Sequence, residues 1–211
     1  MSQQDLQTLD SPPPEPADWR PGSRVPQTGN ATLRRLGMTV MRVLGWQFEG
    51  AFPNREKFVA IIAPHTSNLD FPILLMAKWA LNIDIRFMAK DSVFRGPVGV
   101  FMRAIGGIAV ERTNAHNLVD SSVLEFSKRE KLVLALAPEG TRKKVPGWKS
   151  GFWHIAKGAN VPIVCVALDF RRKRIRLGPE LLATEDDATI GIARVKSSYD
   201  GVIGRHPDRM C

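Results

Sequence analysis

The stretch "IIAPHTSNLDF", residues 61–71, decides how the chain is read. An apolar run ends at Pro64, and His65 and Asp70 follow five positions apart in a polar segment. On one ideal helix, positions i and i+5 diverge by about 140°, so the two side chains would point apart. They meet only where a strand ends, the chain turns through Thr66, Ser67 and Asn68, and a helix starts. The flanks supply those parts: a strand-like run before Pro64, and Phe71-Pro72, where a helix's first turn tolerates proline. Two readings of the pair fit these residues alone. In one, Asp70 is a plain helix cap and His65 an ordinary loop histidine. In the other, Asp70 fixes the tautomer of His65, whose second ring nitrogen is then free to take a proton.

Outside this junction the pattern alternates. "FVAIIAP" (58–64), "IRFMAK" (85–90), "GIAVER" (107–112), "KLVLALAP" (131–138), "PIVCVALDF" (162–170) and "KRIRLGP" (173–179) read as strands. "FPILLMAKWALN" (71–82), "VFRGPVGVFMRAIG" (93–106), "AHNLVDSSVLEFSKRE" (115–130) and "GFWHIAKGAN" (151–160) read as helices. A last helix is expected in "EDDATIGIARVKSSY" (185–199), capped by Thr184. The strands are continuous Val/Ile/Leu runs instead of alternating ones, as in a sheet covered on both faces. The predicted fold class is therefore α/β, a mostly parallel central sheet flanked by helices on both faces.

At 211 residues the chain suits a single domain. Residues 1–29, polar and rich in proline, are expected to be a poorly ordered leader, with the domain over 30–211. The domain opens on "NATLRRLGMTVMRVLGW" (30–46), where Asn30 can cap a helix. Its stripe of Leu33, Leu36, Val40 and Val43/Leu44 fits either core packing or an interfacial membrane helix. No apolar segment approaches the ~20 residues that span a bilayer, and no secretory leader is visible, so a cytoplasmic location is expected.

The net charge is +9, from 30 basic and 21 acidic residues, so the surface attracts polyanions. A nucleic-acid partner is not expected: no reader motif is present, and one tyrosine with sparse aromatics offers no stacking platform. An anionic membrane surface is the remaining candidate. Cys165 and Cys211 form no CxxC motif, and the four scattered histidines lack ligand spacing, so no metal and no cofactor are expected. Glycine-rich phosphate loops and the GxSxG nucleophile elbow are also missing.

Other candidates lie where strands end. In "PEGTR" (138–142), Arg142 suits bidentate capture of a phosphate, Gly140 lets the backbone come close, and Thr141 can orient a neighbour. Glu139 shares that loop. Lys90 ends one strand and Arg112 the next, and each is either a phosphate ligand or an ordinary strand-end cation. Cys165, inside an apolar run, reads as a small buried hydrophobe.

Taken in order, "HTSNLD", "GGIAVER", "PEGTR" and "VPIVCVA" resemble the four blocks of the glycerolipid acyltransferase superfamily, typified by 1-acyl-glycerol-3-phosphate acyltransferase. The likeness covers roughly residues 58–170 and departs at Cys165, where the family usually has proline. It implies His65 and Asp70 as a general-base pair. The implied donor is acyl-CoA or acyl carrier protein, and the implied acceptor a lysophospholipid. Arg142 would hold the acceptor's phosphate with Lys90 and Arg112 as helpers, and Glu139 would organise the loop. Peripheral association with the cytoplasmic membrane would follow. A lyso-aminolipid acceptor, or hydrolysis of a lipid or thioester by the same pair, stays open at this point.

Overall fold

The computed structural model describes residues 19–110, 115–185 and 187–211, without the side chains of 115–117. Its centre is a seven-stranded sheet built from β1 (Gln47–Gly50), β2 (Lys57–Ala63), β3 (Ile85–Lys90), β4 (Gly107–Val110), β5 (Leu132–Leu136), β6 (Ile163–Asp169) and β7 (Arg174–Leu181), in the order β1-β7-β6-β2-β5-β3-β4. Neighbours pair in parallel except β6 and β7, which are joined by a tight basic turn and run antiparallel. The expected strands are all present, and the architecture is the predicted α/β one.

Side chains alternate across β2, and each set has its own partners. Val59, Ile61 and Ala63 pack with Phe126 of α4 (Ala115–Lys128), with Phe152, Trp153 and Ile155 of α5 (Gly151–Ala159), and with Val195 of α6 (Ala188–Ser197). Phe58 and Ala60 face the other way, toward Leu81 of α2 (Asp70–Leu81). On that face α1 (Ala31–Leu44) lies against α2, and α3 (Gly96–Ala104) completes the layer through Met102 against Leu75. Because β2, β3 and β5 are parallel and in register (Ile61 beside Leu136, Phe87 beside Ala135), their C-terminal ends share one edge. The loops that follow those ends meet there.

Four local expectations change. The leader was expected to reach residue 29, yet Val25 is buried in the core, Trp19 stacks on Phe48 with ring centres 5.0 Å apart, and Gln27 bridges Ile83. Apolar side chains at 19 and 25 tie this polar stretch down; residues 1–18 lie outside the described ones. Strand β1 was not anticipated, because "QFEG" carries no apolar run and its pairing with β7 alone makes it a strand. The last helix begins later than expected, capped by the Asp187 carboxylate on Thr189 N, not by Thr184. Finally, α1 forms where predicted with Asn30 accepting from Leu33 N, but Gly37 and Met41 make its buried side. The apolar stripe sits a step further round, leaving Leu36 and Leu44 exposed and Val43 at 79%.

Candidate active site

The turn after β2 carries the site. Asp70 is fully buried and is the first residue of α2, but it does not cap that helix. Its Oδ2 turns back over the preceding turn and accepts the backbone N–H groups of Thr66 and Ser67, each at 2.9 Å. The same oxygen lies 2.9 Å from His65 Nδ1. The ring N–H points off the line to the oxygen, so the contact is short without being a well-aligned hydrogen bond. Such catalytic contacts commonly straighten once substrate binds. Nδ1 is thus the ring nitrogen that faces the carboxylate, and the side chain keeps 21% of its surface exposed.

The second expected loop meets this turn directly. Glu139, only 5% exposed, accepts the backbone N–H of His65 on Oε1 at 3.1 Å, while Oε2 has no partner among the described residues. Burial pushes the Glu139 carboxyl above its ordinary value, and the His65 N–H opposes part of that shift. Gly140 has φ +66°, a left-handed conformation that glycine adopts without strain, and this carries the chain back over the sheet edge. Thr141 Oγ1 accepts from Lys143 N, which shapes the loop around Arg142.

A cavity of about 1720 Å³ opens at this edge. His65, Gly140, Thr141, Arg142 and Lys90 all line it. Arg142 and Lys90 are exposed, and no carboxylate among the described residues pairs with either. Asp120 is the only described carboxylate on the lining, against Lys78, Lys90, Arg142, Lys143, Lys149 and Arg209, so the cavity favours an anion. An apolar branch runs from the edge between α2 and the sheet, past Ile62, Leu74, Ala60, Ala77, Leu81 and Phe58. Its course along β2 from His65 to Phe58 spans roughly 23 Å at the strand rise. Lys78 stands among these apolar residues, its Nζ donating to the carbonyls of Ile85 and Ile105, and burial lowers its pKa.

The structure thus brings His65, Asp70 and Glu139 into contact and sets Gly140, Thr141, Arg142 and Lys90 around one opening. Arg112 lies outside the described residues. Cys165, the departure in the fourth block, points into the core and burial raises its thiol pKa, so its place is one of packing. Among the described residues no cluster of His, Cys, Asp or Glu could hold a metal. No motif singles out Lys149, His206 or Arg209, which also line the opening. They are isolated residues in polar segments, and only the fold brings them to it.

Comparison with known proteins agrees with this geometry. A search of curated proteins finds no match. Among solved structures, the chain is similar to the 1-acyl-sn-glycerophosphate (LPA) acyltransferase PlsC from Thermotoga maritima, with a TM-score of 0.59 and 17% identity. That alignment covers 79% of this chain and 75% of the other, a likeness of fold. The family model described as Acyltransferase matches residues 47–169, which span β1 through β6 and contain both loops of the site. The chain is an enzyme of the acyltransferase family.

Proposed function

We propose that the chain moves a fatty acyl group from an acyl thioester, acyl-CoA or acyl carrier protein, to a hydroxyl of a lysophospholipid such as 1-acyl-glycerol-3-phosphate. One observation carries this reading: His65, backed by a buried carboxylate, stands where a cationic opening meets a long apolar branch. A substrate with a phosphate and a hydrocarbon chain matches both parts.

In this mechanism Nε2 of His65 takes the proton of the acceptor hydroxyl. The oxygen attacks the thioester carbonyl, the C–O bond forms, and the C–S bond breaks. The proton on His65 then goes to the leaving thiolate. Asp70 stabilises the imidazolium that exists between those steps. Arg142 holds the acceptor's phosphate in a two-point fork, with Lys90 and Arg112 as further cations. Glu139 acts through the backbone of His65, fixing where the ring begins. Positioning supplies most of the acceleration, with base catalysis adding on the order of 10²–10⁴-fold.

The acceptor lives in a bilayer, and the exposed stripe of α1 supports peripheral attachment. Leu36, Val43 and Leu44 project from a helix that also carries Arg34, Arg35 and Arg42. Among the described residues no helix is long and apolar enough to cross a membrane. The decisive experiment is a lysolipid panel with labelled acyl-CoA and acyl carrier protein donors. Acylated lysophospholipid should accumulate while free fatty acid stays at background. Free acid as the main product would replace transfer with hydrolysis.

A further inference from the structure

Helix α3 is bare of polar side chains for most of its length. Its sequence, "GPVGVFMRA" (96–104), holds no polar residue before Arg103. Gly99 and Met102 are its buried positions, with Met102 packing against Leu75 of α2. Val98, Val100 and Phe101 are left 60%, 67% and 48% exposed. A surface helix of a globular protein ordinarily turns charged or polar residues outward. Single exposed apolar residues need no explanation, but a contiguous patch on one short helix does.

Topology sets this patch beside the catalytic opening. Strand β3 ends at the edge that carries His65, and α3 follows shortly after it. Val93 and Val98 line the cavity, while Val100 and Phe101 lie off its lining. The end of α1 reaches the same edge, because β1 starts there. Gln47 pairs with Arg174, Arg174 with Asp169 at the end of β6, and β6 runs beside β2. Exposed Leu44 of α1, Leu69 just before α2 and Val98 of α3 therefore gather at one sheet edge. Exposed cations stand there too: Arg171, Arg172 and Lys173 in the turn after β6, and Lys90 and Arg95 after β3. Asp91, 3.9 Å from Arg95, and the buried Asp169, 4.0 Å from Arg172, offset part of that charge.

We propose that the outward face of α3 is a second membrane-contact surface, setting Val98, Val100 and Phe101 into an anionic phospholipid bilayer beside the opening. An edge that is both apolar and cationic complements a surface that is both apolar and anionic. The inference rests on the acyl-transfer reading above, in which the cavity bordered by this patch takes a lipid. The contact is separate from the stripe of α1 and has its own effect. It turns the mouth of the cavity toward the lipid, so an acceptor enters from the bilayer past Val93 and Val98. Acceptors embedded in a membrane gain from it; monomeric ones in solution do not.

The test uses the full chain and vesicles of phosphatidylglycerol and phosphatidylcholine. In a Cys211→Ser background, Val100→Cys takes an environment-sensitive fluorophore, since Cys165 is buried. Its emission should shift to the blue on vesicles and stay unchanged in buffer at any protein concentration. Val100→Asp with Phe101→Asp alters exposed positions off the cavity lining, so melting should stay within a few degrees of wild type. Half-maximal sedimentation of this double variant should need roughly tenfold or more lipid, the effect of denying burial to a valine and a phenylalanine. Leu124→Asp, at an exposed position of α4 on the opposite sheet face, should bind vesicles as wild type does. In turnover the double variant should lose about tenfold on a long-chain lysophospholipid in vesicles, and stay within about twofold on a short-chain monomeric one. A fluorophore at position 100 that keeps its emission on vesicles overturns the proposal, whether or not the double variant folds. So does a blue shift that grows with protein concentration in the absence of lipid, which would give the face to a second copy. If wild-type protein acylates neither acceptor, the acyl-transfer reading fails; the surface is still judged by fluorescence and sedimentation alone.

Discussion

Glu139 Oε1 holds the backbone N–H of His65 at 3.1 Å, joining two loops that are 74 residues apart in sequence. The bond holds the backbone of the histidine, while Asp70 lies 2.9 Å from its ring. Two carboxylates from two different loops thus contact His65 at two places. Each can be removed separately.

His65→Ala removes the base, and kcat should fall on the order of 10²–10⁴-fold or more with the melting temperature nearly unchanged. Asp70→Asn keeps an acceptor for Thr66 and Ser67 but no longer selects the ring tautomer, so activity should fall while the fold survives. Asp70→Ala also strands two buried N–H groups and should cost stability, about 1–3 kcal/mol for each. Radiolabel turnover and thermal melts on the three variants check this. An active H65A would dismiss the base assignment.

Glu139→Gln separates stability from activity. Burial raises the Glu139 pKa from its ordinary 4.5, so the folded state binds this proton more tightly than the unfolded chain. Its contribution to stability is then present below the unfolded value and is lost as pH rises through the folded one. At neutral pH the buried carboxyl is a burden that glutamine lacks, while the amide oxygen still accepts from His65 N. E139Q should therefore melt higher than wild type at pH 7–8, with the difference shrinking toward pH 4.5. Its kcat should drop. A melting difference that does not vary with pH would contradict the burial argument.

Arg142→Ala should raise the KM for a phosphate-bearing lysolipid by about tenfold or more, and Lys90→Ala by less. Arg142→Lys should recover only part, because an ammonium cannot reproduce the planar fork. An unchanged acceptor KM in R142A would place the phosphate elsewhere.

Ala60 and Ala77 face the apolar branch from the sheet and from α2. Leucine at either position shortens that branch, and preference should move to shorter acyl chains. Each methylene denied burial should lose about fourfold in kcat/KM, from about 0.8 kcal/mol per buried CH₂. Donors of graded length measure it, and an unaltered length profile would mean that the chain lies elsewhere.

Val43→Asp and Leu36→Asp alter exposed positions of α1 and should leave the melting temperature alone. Sedimentation with anionic vesicles should show weaker binding for both, and binding by wild type should weaken as salt rises. Undiminished binding by the double variant would move the docking face off α1.

Much of this was legible in sequence because the central strands announced themselves through apolar runs. The five-residue spacing of His65 and Asp70 forced a turn between strand and helix, and the structure contains it. Less legible was the direction of the Asp70 carboxylate, since the cap and the tautomer-fixing readings place the same residue at the same helix start. Strand β1 was invisible because "QFEG" owes its conformation to β7 and not to its own composition. In α1 the periodicity was right, while the side that faces the core stayed open between two readings. A hydrophobic count could not show that Gly37, which has no side chain, would form the core-facing side. Arg209 went unseen for a related reason: only the fold brings it to the opening.

That glycine also sets a height. A Cβ on Gly37 would come 2.5 Å from Ala80 N and 2.6 Å from Met76 O, so the backbones of α1 and α2 touch at a point where nothing can yield. Helix α2 begins at Asp70, and α1 carries the outward apolar stripe. With the two fused there, any surface that seats α1 also fixes how far the base stands above it. The enzyme would then draw its acceptor to a set elevation over the lipid plane, with no hinge between the foot that stands and the hand that works.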